Sequence, residues 1–100
     1  MALPSKVSRP MPYKGKLKNM TVKILSNNMD KNTVITVYKN MEATPLTITV
    51  ATLETGVKTN NITSVTFQKG DYLDTIVDTH LSAADKRIIM GVSYEYVKVL

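Results

Sequence analysis

The sequence predicts an all-β protein, an antiparallel sandwich or barrel with an extended N-terminal arm. Three observations predict it. Thr, Val and Ile supply 31 of the 100 residues, against 8 glycines and prolines together, which is the balance of paired strands. Apolar and polar residues alternate in short runs that recur about every 8–14 residues, the spacing of small sandwiches. No stretch carries the 3.6-residue period of a helix of any length. One hundred residues make one domain with a single modest core.

Residues 1–15 read as the arm. Pro4, Pro10 and Pro12 fall there with Ser5, Ser8 and Gly15, and proline blocks both helix and interior strand. From Lys16 a single domain runs to Leu100. Met20, Val22 and Ile24 alternate with Thr21 and Lys23, a half-buried first strand. The polar run Ser26 to Asn32 is a turn, because Asn and Asp tolerate left-handed backbone. Thr33 to Lys39 is the next strand, with Ile35 and Val37 on one face and Thr36 and Tyr38 on the other. Leu46, Ile48 and Val50 alternate with Thr47, Thr49 and Ala51, the cleanest period-two signal in the chain. Glu54 to Asn61 reads as a loop crossing between sheets. Val65 and Phe67 mark a short strand that ends at Gly70. Leu73, Thr75 and Val77 form another, with Tyr72, Asp74, Ile76 and Asp78 opposite. His80 to Lys86 is a second loop, in which Leu81 to Asp85 is read as one helical turn. Arg87 to Leu100 closes the chain as a long strand, apolar on both parities. A strand covered on both faces packs on a core and on something else, which in so small a protein points to another subunit.

Charge and composition exclude several classes. The formal charge is +5, but Lys6, Arg9, Lys14, Lys16, Lys18 and Lys23 precede the first acid, so residues 1–23 carry +6 and the remainder −1. The basicity belongs to the N-terminal segment. Without cysteine there is no disulfide, thiolate nucleophile or Cys-ligated zinc, and a single His leaves no two-His metal pair. No apolar run approaches a membrane span. No cofactor and no metal site are expected. Asp78 and His80 share a strand face, yet no nucleophile elbow or phosphate-cradling loop accompanies them. Asp74 and Asp78 stand about 13 Å apart along a strand, too far to hold one ion between them.

The functional candidates are therefore surfaces. Lys6, Arg9, Lys14 and Lys16 are candidate polyanion contacts, since basic arms bind nucleic acid by neutralising phosphates. Only Tyr13 lies among them, so the stacking platform of a single-strand binder is missing. Met11 and Tyr13 suit docking of the arm on a neighbouring subunit. Tyr94 and Tyr96 share one face of the last strand and are candidate subunit contacts. Tyr38 and Tyr72, on the parity opposite the core, are candidate ligand contacts, for instance with a glycan.

The order of signals resembles a family of small jelly-roll domains in virus and bacteriophage structural proteins, akin to the trimeric heads of the C1q and tumour-necrosis-factor type. The resemblance rests on Gly15 to Val22, on Thr33 to Asn40, on Thr44 to Val50, on Ser64 to Asp71 with its Gly-Asp turn, and on Val92 to Val97. It covers residues 13–100. One departure is local: the family usually has Asn-Gly after the second strand, where Met41 follows Asn40 here. The resemblance implies a jelly-roll sandwich, a homotrimer and a non-enzymatic structural role in a virion made in the host cytoplasm. The implied partners are copies of the chain, other virion proteins and a host-surface glycan. A carbohydrate-binding module is the alternative, and a nucleic-acid-binding barrel a more distant one.

Overall fold

A computed structural model describes residues 10–99 and shows seven strands in two packed antiparallel sheets: β1 (Gly15–Asn27), β2 (Thr33–Lys39), β3 (Glu42–Val50), β4 (Gly56–Asn60), β5 (Val65–Phe67), β6 (Leu73–Asp78) and β7 (Ile88–Lys98). The predicted antiparallel β-sandwich is the fold. In one sheet β7 pairs with one edge of β1, and β4 and β5 share the other; the second sheet runs β3-β2-β6. A jelly roll has eight strands. Here β4 and β5 meet successive stretches of the same β1 edge, Ile24 to Met20 and then Leu17 to Gly15, so they act as one interrupted strand.

The core lies between the sheets. Leu17, Met20, Val22 and Ile24 of β1 face Ile35 and Val37 of β2 and Leu46, Ile48 and Val50 of β3, with Val65 and Phe67 closing one end. Two bulges keep the long β1 in phase. Leu17 and Met20 are both buried though three residues apart, which strict alternation forbids. Asn19 is the inserted residue, with φ of 51°, and its amide donates to the Glu95 carboxylate on β7. Asn is among the few residues that accept this conformation. Leu25 makes the second bulge. On β3, Pro45 cannot donate to the ladder and sits in an irregularity opposite β2. Thr44 Oγ1 donates to the Val37 carbonyl at 2.6 Å there, replacing a backbone bond.

The departure at Asn40-Met41 leaves the hairpin intact. Lys39 pairs with Glu42, and both loop residues have positive φ, 51° and 68°, as a two-residue type I′ turn demands. A methionine held there carries strain of about 1–2 kcal/mol that glycine does not. Met41 is 64% exposed, so its side chain gives little packing in return. Met41→Gly is expected to raise stability by about 1 kcal/mol, read as a Tm increase of roughly 4 °C or more in a thermal melt.

Three sequence expectations are corrected. Glu54 to Asn61 is not all loop, because β4 occupies most of it. Leu81 to Asp85 makes turns and no helix; His80 and Leu81 both have positive φ, 54° and 60°, and Ser82 N closes onto the Thr79 carbonyl. On β6 the burial is inverted: Ile76 is buried, away from the main cluster, while Val77 is 37% exposed. β6 is the outer strand of its sheet, so its inward positions open towards solvent.

Candidate functional site

One side of the sandwich is stitched shut by polar side chains. Lys58 and Asn60 of β4 point inward and cap β3: Lys58 Nζ donates to the Thr49 carbonyl at 2.7 Å and Asn60 Nδ2 to the Thr47 carbonyl at 3.0 Å. Lys58 is anchored in turn by Glu54, 3.2 Å away. The Ala51 amide and then Lys58 hold the Glu54 carboxyl below the usual glutamate range. A shallow groove of about 470 Å3 runs along this seam, lined by Thr47, Thr49, Lys58, Asn60, Ile62 and their neighbours. It contains no aromatic ring, so the sugar-stacking surface expected of a glycan site is not found there.

The opposite side, between β6 and β7, is apolar and open. Ile88, Met90, Val92 and Tyr94 of β7 and Leu73 of β6 pack on the core but are only partly buried. Beside them Val77 and Tyr96 are exposed, Tyr96 by 53%, and on the reverse face of β7 Ile89 is exposed by 56%. A hydrogen bond between the Thr75 and Tyr94 hydroxyls spans the gap between the two strands. Burial pushes the Tyr94 phenol above its ordinary pKa, and the bond to Thr75 partly opposes that. Among the described residues, β7 has β1 as its ladder partner on one edge.

The predicted site residues are distributed unevenly over this frame. Tyr94 and Tyr96 lie on the open side. Met11 and Tyr13, the candidates for a neighbouring subunit, pack on their own core and are partly buried there. Met11 N donates to the Asp71 carbonyl and Gly70 N to the Met11 carbonyl, both at 2.8 Å. The Tyr13 ring lies 6.3 Å from that of Phe67, with Lys98 Nζ 5.4 Å from its centroid. Met11 and Tyr13 thus bury part of their apolar surface within the chain. Tyr72 is exposed, while Tyr38, also expected at the surface, is half-buried. Both are on the outer face of the β3-β2-β6 sheet, where Tyr38 pairs with Asp74. Tyr72 is fixed by its amide donating to Asn40 Oδ1 at 2.9 Å.

Of the polyanion candidates, Lys6 and Arg9 lie outside the described residues. Lys14 is exposed and its carbonyl accepts from Val99 N. Lys16 belongs to the outer face of β1, as do Lys18 and Lys23, and Lys18 Nζ stands 4.0 Å from Glu95.

The carboxylates and the histidine hold turns. Asp71 accepts from Gln68 N at 2.8 Å and from Asn40 Nδ2 at 3.1 Å, and the Gln68 amide leads in holding its carboxyl below the usual aspartate range. Asp78 accepts from His80 N, and His80 Nδ1 donates to the Asn32 carbonyl at 2.7 Å, tying the end of β6 to the start of β2. Among the described residues no group of three or more His, Asp or Glu is placed to hold a metal ion, and no helix is long and apolar enough to cross a membrane.

The sequence flagged β7 through its double apolar parity. It missed Leu73 and Val77 as parts of the same surface, because their exposure depends on β6 lying at the rim. Comparison with protein-family models, with curated proteins and with solved structures finds no match for this chain.

Proposed function

We propose that this chain is a non-enzymatic structural protein of a virion, a capsid-, fibre- or spike-associated sandwich that assembles with copies of itself as a homotrimer. The observation that carries the reading is the open side of the sandwich. A row of apolar side chains from Ile88 to Tyr94 is left half-covered there and continues into exposed Tyr96 and Val77, with exposed Ile89 on the reverse face of β7. Contiguous apolar surface of this kind marks a contact with another protein. The sandwich fold agrees with the resemblance, whose members build assemblies. In this reading the outer face carrying Tyr38 and Tyr72 remains available to other virion proteins or to a host-surface glycan.

Sedimentation equilibrium tests the assembly directly. The expected species weighs about three times the 11.1 kDa of one chain. A chain that stays at monomer mass up to millimolar concentration overturns the reading. A stable species of another multiple overturns the trimer alone.

A further inference from the structure

We infer that β7 is a two-fold docking edge, on which a second copy of this chain lays its own β7 antiparallel and in register about Ser93. The inference rests on the proposed self-assembly but not on its number: a two-fold contact joins copies in pairs, so it predicts an even number of chains where the homotrimer reading predicts three.

An unpaired strand edge is a template for another strand, and proteins guard the edges they do not use. Guards of that kind stand at or near two of the other edges. Lys58 and Asn60 side chains occupy the carbonyls of β3, and Pro10 bridges to Tyr72 just ahead of β6. β7 is different. It offers eleven residues, contains no proline, and both bulges of the β1–β7 pair insert their extra residue on β1. Its own alternation is therefore unbroken from Ile88 to Lys98.

The strand is self-complementary. With Ser93 opposite Ser93 of the second copy, Ile89 falls opposite Val97, Met90 opposite Tyr96, and Val92 opposite Tyr94. Each pair joins two apolar side chains on one face, the arrangement that stabilises antiparallel strands. Gly91 falls opposite Glu95, and no two like charges meet. Exposed Ile89 and Tyr96 both gain cover. Gly91 fits the same picture. A Cβ there would meet nothing within 4 Å, so packing within the chain does not call for glycine at this strand position, whereas an interior glycine often marks close approach by another backbone. In the pair it leaves room for the Glu95 side chain of the second copy.

The chain has no cysteine, so one introduced thiol reads the register. Opposed residues in an antiparallel pair have Cα atoms about 4.5–5.5 Å apart, within disulfide reach. In the full-length chain under mild oxidation, Ser93→Cys is expected to cross-link into a dimer at least tenfold faster than Gly91→Cys or Glu95→Cys alone. The double variant Gly91→Cys/Glu95→Cys is expected to cross-link efficiently. Independently, Ile89→Lys/Val97→Lys is expected to weaken association at least tenfold by sedimentation velocity, since it sets lysine against lysine. Equal cross-linking at 91, 93 and 95 overturns the β7 pairing. If wild type has a multimeric mass but Ser93→Cys gives no preferential cross-link, self-assembly stands and this contact falls; a monomeric wild type without a cross-link overturns both.

Discussion

Phe67→Ala is expected to lower stability by about 3–5 kcal/mol, the usual cost of removing a fully buried aromatic ring. The ring lies on β5, a strand of only three residues, and is wholly inaccessible. It plugs the end of the core between Leu17 and Val65 on one side and Tyr13 on the other. β5 pairs with β1 over three residues, so little backbone bonding holds it once the ring is gone. A domain of this size has about 5–15 kcal/mol in total, so the variant would lie near the unfolding threshold. A urea titration measures the loss as a fall in the midpoint at unchanged slope. Phe67→Leu, which keeps most of the volume, is expected to cost less than about 1.5 kcal/mol. A midpoint for Phe67→Ala within about 1 kcal/mol of wild type would show that the ring is not the plug described.

The second large effect concerns one added methyl group. Gly15→Ala is expected to destabilise by roughly 1–3 kcal/mol through overpacking. A Cβ at Gly15 would stand 2.6 Å from the Val97 carbonyl oxygen and 2.8 Å from Phe67 Cζ. The glycine is required by this close approach. The carbonyl cannot withdraw cheaply, because the Val97 backbone is in the β1–β7 ladder opposite Lys16. The ring can be trimmed. Combining Gly15→Ala with Phe67→Leu is therefore expected to cost less than the two changes added together, with the carbonyl clash as the residue. Chemical denaturation of the four proteins in this cycle measures the coupling; strict additivity would mean that the ring and the glycine do not meet.

Most of the fold can be read from local pattern. β2 and β3 show their alternation directly, and Pro12 announces the end of the arm. β4 could not be read that way. In Gly56 to Asn60 the residues facing inward are Lys58 and Asn60, while Val57 faces solvent, so the usual apolar alternation is reversed. Those polar residues point inward because β3 has bare carbonyls to cap, and the identity of a neighbour from another sheet is not encoded in five residues. The exposure of the inward positions of β6 has a similar origin. Leu73 and Val77 look like core positions, and they would be, had β6 a further strand beside it. The packing of Met11 and Tyr13 on their own core is hidden from local pattern for the same reason, since their docking surface is built from Phe67 and the Gly70-Asp71 turn far along the chain. The candidate site was legible in one part, the two-faced apolar character of β7. Which edge of β7 lacks a ladder partner among the described residues depends on β1 taking the other, and that is a long-range choice.

The pairing of β1 with β7 also sets a timetable. β1 is the central strand of its sheet, and its longest partner is the last strand of the fold, with Gly15 against Lys98. A nascent chain emerging from the ribosome would thus carry β1 with one edge bare until more than seventy further residues had appeared. The β2–β3 hairpin, closed by two residues, can form at once. The sheet holding β1 must wait, and fold wiring dominated by distant pairs is slow to close in any case. During that interval the bare edge is the segment most in need of a chaperone's attention, so yield in a cell would respond to translation speed and temperature more than the stability of the finished sandwich suggests.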